Sequence, residues 1–274
     1  MAVVLNDWYR HQREFDAMAR DSSEVVLGAE ADIYAEAMGL TAQFIDATAN
    51  RDDFNSLTVK RMLGAATHSF NLLCSAWDST LTGRYGAAAS HQRSINETPD
   101  LLKGLYIEPA FAEQMTGTES DVKRARRIVR DAYALAGSPE AKTFISERQR
   151  HIKTLHPFSH LTFEAMGVAL GIGVIGGQKV GVLRAGGAPA RKSLLGLARI
   201  LALDAVELTS FVVVVLGKED VTAGPVPELF RKASTLIRDD LDQEEILTGE
   251  MERFLLVRSD EEPPHPDRMP EFAR

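Results

Sequence analysis

The chain has 274 residues, 45% of them hydrophobic and 26% charged, which suffices for one substantial core in an ordinary globular balance. Its formal net charge of −8 is lopsided, because residues 218–274 carry 15 acidic against 8 basic side chains and the remainder is close to neutral. A uniformly basic nucleic-acid surface is thereby excluded, and only local basic patches remain for such contact. The single cysteine, Cys74, excludes an internal disulfide; its neighbours Leu72, Leu73, Ala76 and Trp77 read as the surroundings of a buried thiol.

Residues 1–13 lack the charged, apolar and small-residue zones of a secretory signal. Neither uncharged Ala165 to Gln178 nor Leu194 to Leu216, which Arg199, Asp204 and Glu207 interrupt, offers the ~20 clean apolar residues of a spanning helix. A soluble cytoplasmic protein with no membrane partner is expected.

In chain order, Trp8, Tyr9 and Phe15 suggest a short docking helix. Asp21 to Asn50 reads as the first long helix, with Ser22 or Ser23 as its cap. Phe54 to Leu81 follows, ended by Gly83. Tyr85 to Tyr106 is the next, and Pro99 predicts a kink or break after Thr98. Two more helices are expected at about Glu108 to Met115 and Ser120 to Ala136, with punctuation at Gly137-Ser138-Pro139 and a restart near Pro139. The glycine-rich run within residues 166–184 suggests a small β-hairpin turning at Gly176-Gly177, with a close-packed glycine-rich helix as the competing form. Ala188 to Gly217 is a long apolar helix, a central core element or a dimer surface. Glu228 to Val257 is the last helix, acid-rich, and residues 258–274 with Pro263, Pro264, Pro266 and Pro270 form a disordered tail. The expected fold is mainly α: a single domain of about eight helices over residues 1–257.

Chemistry concentrates in three places. Ser146 to Met166 holds His151, His156 and His160, three of the seven histidines, with Arg148 and Arg150. An arginine can stabilise a pentacoordinate phosphate, and a histidine titrating near neutrality can move the proton of a 2′-hydroxyl. On the helix over residues 85–106, Arg93 and Glu97 stand at i and i+4 and can pair. Flanked by Ala88, Ala89 and Ile95, such a pair is partly buried and needs further partners such as His160 or Asn71. Finally Lys123, Arg124, Arg126, Arg127 and Arg130 form one solvated basic face opposite Ala125, Ile128, Val129, Ala132 and Leu135; Lys123, Arg124, Arg127 and Arg130 are the candidate phosphate contacts. No cofactor or metal is expected. His156, His160 and Glu164 share a helical spacing, but no His-Glu-x-x-His is present. Gly171-x-Gly173-x-x-Gly176 lacks the strand–helix context and the following acid of a dinucleotide site.

Arg150-His151-x-x-x-x-His156 resembles the Arg-x(4–6)-His motif of HEPN-type helical proteins, many of which are metal-independent ribonucleases working across a dimer. The resemblance implies a homo-oligomer with RNA as its partner, Arg150 on the scissile phosphate and His156 or His160 as acid and base. Arg93-Ser94-Ile95-Asn96-Glu97 with the later Leu155-His156-Pro157-Phe158-Ser159-His160 also resembles bacterial all-helical proteins of unknown function, in which an Arg-Ser-x-x-Glu helix precedes a loop histidine. His160 matches that histidine, and no activity comes with the likeness. Two expectations follow: a non-catalytic helical binding or scaffold module with an internal Arg93–Glu97–His160 cluster, or a HEPN-like endoribonuclease.

Overall fold

Gly83 sets the frame. Its φ of 71° is a left-handed conformation that costs glycine little, and it closes the helix before it with Gly83 N–H to Thr80 O (3.1 Å) and Arg84 N–H to Ser79 O (2.7 Å). The chain reverses there, so Leu57–Leu81 and Tyr85–Ile107 run as a tight helical pair. The computed structural model describes residues 2–146, 149, 170–175, 178–183, 191–217 and 224–238. In order, the helices are α1 (Ala2–Val26), α2 (Ala29–Ala49), α3 (Leu57–Leu81), α4 (Tyr85–Ile107), α5 (Phe111–Gln114), α6 (Glu119–Leu135), α7 (Arg191–Phe211) and α8 (Val226–Arg238). Short 3-10 turns at Asp52–Asn55 and Pro139–Lys142 and a π-helical turn at Val212–Leu216 connect or extend them. The chain is mainly helical.

α7 is the axis of the core. It packs against α2, α3, α4 and α8, and Leu194, Leu201, Ala202, Ala205 and Leu208 on it are all but fully buried. Around the last four lie Leu73 of α3, Leu102 and Leu105 of α4, and Leu229 of α8, while Leu194 packs with Leu27 and Leu81. Each such leucine contributes about 1.5–3 kcal/mol of burial. Thr209 adds a polar pin: its Oγ1 is 2.9 Å from Thr41 Oγ1, and its one proton is shared between Ala37 O (2.9 Å) and Ala205 O (2.7 Å). At the end of α7 the π-helical turn is closed by Gly217 N–H on Val212 O. Glycine is needed there, because a Cβ would sit 2.5 Å from Val213 O and 2.8 Å from the Phe44 ring. Arg51 covers the exposed end by donating to Leu216 O.

Three expected boundaries move. The span Asp21 to Asn50 is two helices, broken at Leu27–Gly28. Ser23 caps nothing; it is buried and its hydroxyl is held against Ala19 O and Leu81 O, both at 2.8 Å, fastening α1 to the end of α3. α4 continues through Pro99, with no break after Thr98. Proline removes one N–H from that turn, and side chains reinforce the backbone around it: Thr98 Oγ1 donates to Ser94 O (3.2 Å) and Asn96 Nδ2 to Gln92 O (3.0 Å).

Leu170–Ile175 and Gln178–Leu183 pair as antiparallel strands β1 and β2, from Leu170 opposite Leu183 to Ile175 opposite Gln178. The expected turn residues Gly176 and Gly177, the last helix beyond Arg238 and the tail 258–274 lie outside the described residues. Among the described residues, no helix is long and apolar enough to cross a membrane.

Candidate functional site between α4 and α6

α4 and α6 approach until backbone meets backbone. A Cβ on Gly104 would stand 2.8 Å from Ala125 Cβ and 2.9 Å from its Cα, so only glycine admits this crossing. One to three helical turns earlier along α4, the same face carries Asp100, Glu97 and Arg93. Across the seam stands Arg126, with Val129 and Ala125 beside it on the buried side of α6.

The charges interlock. Arg126 Nε donates to Asp100 Oδ2 at 2.8 Å, and the two side chains are 8% and 1% exposed. Arg126 Nη2 is buried 3.7 Å from Glu97 Oε1, an ion-pair distance beyond hydrogen-bond reach. Glu97 Oε1 accepts from Arg93 Nε at 3.3 Å, and Arg93 Nη2 reaches Glu119 Oε1 at 3.3 Å. Glu119 also receives Lys123 Nζ at 3.3 Å. That hydrogen bond and charge, with Arg93 and Arg126 nearby, hold the Glu119 carboxyl below its ordinary range. Two arginines and a lysine thus face three carboxylates in one chain of contacts. Deep in the seam, removing one member of the Arg126–Asp100 pair strands the other, at a cost of about 3–5 kcal/mol.

The N-terminus of α6 is fixed by its own acid. Asp121 accepts Thr116 N–H (3.0 Å), Gly117 N–H (2.7 Å) and Thr118 N–H (3.3 Å). Burial alone would raise its carboxyl, but these donors together hold it below the ordinary value. The reciprocal bond, Asp121 N–H donating to the Thr118 hydroxyl, completes a capping box.

The expected pair Arg93 and Glu97 is therefore present and half-buried, and among the described residues it is joined by Arg126 and Glu119. Asn71 is exposed on α3, where its carbonyl accepts from Ser75 Oγ at 3.0 Å. Arg126 corrects the expectation of one solvated basic face, since it is buried. The rest of that run is also engaged with neighbours. Lys123 pairs with Glu119, Arg124 with Glu108 at 3.4 Å while lying over the Phe111 ring, and Arg130 with Asp131. Exposed Arg127 donates to Lys123 O at 3.5 Å. Arg150, His156 and His160 lie outside the described residues.

Asp100 and Glu119 escaped the sequence reading. The signal was present: Arg126 falls on the apolar line Val122, Ala125, Val129, where a charge needs a buried acid, and α4 offers Glu97 and Asp100 at i and i+3.

Elsewhere, Cys74 is exposed rather than buried. Partial burial of its thiol still pushes its ionisation up, with the Tyr34 phenol opposing. Tyr34 itself is buried and stacked on Trp77, ring centroids 4.0 Å apart. Its hydroxyl has no hydrogen-bond partner of normal geometry among the described residues, and burial, then the adjacent Cys74, drive its ionisation upward. A thiol held protonated is a poor nucleophile. His91 on α4 is held below the ordinary histidine range by burial and by His68 across the helix pair. Among the described residues no three His, Cys, Asp or Glu side chains are grouped to hold a metal ion.

No protein-family model, curated protein or solved structure matches the chain.

Proposed function

We propose that this chain is a helical binding or scaffold module whose α4–α6 ion network is an internal latch and not a reaction centre. One observation carries the reading: Arg126 and Asp100, the strongest charge pair of the seam, lie 2.8 Å apart with their side chains 8% and 1% exposed. A group that attacks or protonates a substrate must reach it, and this pair is closed off from solvent. Its effect is geometric, fixing α6 against α4 and so fixing what the outer faces of the bundle present.

The test sets the module against the ribonuclease implied by Arg150, His156 and His160. Purified full chain is incubated with total RNA over a range of pH and with and without divalent metal, beside His156→Ala and His160→Ala. Intact RNA in every lane is the expected outcome. Cleavage by the wild type that either variant abolishes overturns the module reading.

A further inference from the structure

α1 presents an apolar line to solvent with the spacing of a helix–helix seam. Phe15, Met18 and Val25 are 59%, 65% and 88% exposed. Single exposed apolar residues mean little, but these fall on a regular line. Exposed His11 and Ser22 complete an unbroken 4-3-4-3 alternation from His11 to Val25. That is the a/d repeat of a helix packed along another helix. The other side of α1 faces the body, where Ser23 is buried, Arg20 pairs with Asp78 and Asp16 with Arg84, and Ala19, between that side and the seam, is buried too.

We infer that this face docks an amphipathic helix of a partner protein, apolar along its own seam and basic along its flank. The flanks of the α1 seam decide the occupant. One flanking row contains Ala19, which is buried against the body, so partner side chains have access only to the other. That open row holds Glu14 and Asp21, seven residues apart and both exposed. Arg10, one row behind, is already engaged. A second copy of this chain fits poorly: an antiparallel pairing sets Glu14 and Asp21 against their own images, and a parallel one needs the occluded row. An anionic membrane surface is repelled by the same acids. A helix with lysine or arginine beside its seam meets both the apolar line and the charge. The inference rests on the chain being an interaction module, and the two fail separately: RNA cleavage bears on the module, peptide binding on this face.

The test titrates full-length protein into two labelled synthetic helices of about three heptads, with leucine on the seam and either lysine or glutamate on both flanks. Fluorescence anisotropy is expected to show the lysine helix binding at least about tenfold tighter than its glutamate twin. Phe15→Glu and Met18→Glu should each weaken it by about tenfold or more, with unchanged melting, since both positions are exposed. Glu14→Lys combined with Asp21→Lys should invert the preference between the two helices, a result that no loss of folding can imitate. No saturable binding, or equal binding of both helices, overturns the inference. So does a dimer in light scattering that Met18→Glu splits, or uptake by phosphatidylserine vesicles that Met18→Glu abolishes.

Discussion

α1 and the α4–α6 seam both use arginine–carboxylate pairs, but in different surroundings. Between α4 and α6 the pair Arg126–Asp100 is out of water, beside a crossing so close that Gly104 touches Ala125. Beneath α1, the pairs Arg20–Asp78 and Arg84–Asp16 are partly solvated, each with at least one side chain more than a third exposed. Water weakens and salt screens the second kind, whereas the first cannot be opened one partner at a time without stranding a buried charge. Similar side-chain chemistry therefore makes a weld in one place and a loose fastening in the other. The loose one carries the outward apolar face.

The largest expected effect comes from breaking the weld. Arg126→Met should lower unfolding free energy by about 3–5 kcal/mol in urea titration, and Arg126→Met with Asp100→Leu should recover most of that loss. A single-variant loss below about 1 kcal/mol would mean that the pair is solvated, at the level of a surface ion pair. Next, Gly104→Ala puts a methyl into Ala125 and should cost about 1–3 kcal/mol, whereas Gly64→Ala on α3, with open space around it, should be neutral or stabilising.

Asp121→Asn should cost about 1 kcal/mol, as the loss of a helix-terminal acceptor does. Because the folded carboxyl ionises more readily than the unfolded one, its contribution is full above the ordinary aspartate value near pH ~4 and is lost as pH falls through the lower folded value. The wild type should therefore lose more melting temperature than Asp121→Asn between pH 5 and pH 3. At the loose end, Arg20→Ala should cost under about 1 kcal/mol. Concentrated salt should speed amide exchange in α1 before α4 or α6, and equal protection of all three helices would erase the contrast.

Much of this contrast was legible in the sequence, and the failures have identifiable causes. The 3.6-residue periodicity gave α3, α4 and α6, because each buries a continuous line such as Leu73, Leu102 or Val129. Gly83 and Gly137 marked helix ends, and both adopt positive φ. Ser23 misled because a serine before an apolar repeat resembles a cap, while here its hydroxyl spans to Leu81 O on another helix. Pro99 does not break α4, because local propensity yields to a buried turn with its own side-chain hydrogen bonds. Arg126 was read by its charge when its phase, in line with Ala125 and Val129, placed it inward. The sequence offers Glu97 and Asp100 as its candidate acids, and the crossing of α4 and α6 selects Asp100, 26 residues earlier, for the hydrogen bond.

The hydroxyl contact between Thr41 and Thr209 joins residues 168 apart in the chain. Ribosomes add roughly 5–20 residues per second, so the face of α2 that receives α7 waits roughly 8–34 s after its own synthesis before that partner exists. During that interval Ile33, Ala37 and Met38, which end up buried in the finished bundle, have no α7 to cover them. A nascent chain stalled before residue 191 should therefore be a strong client of trigger-type holdases, and release should follow the emergence of α7.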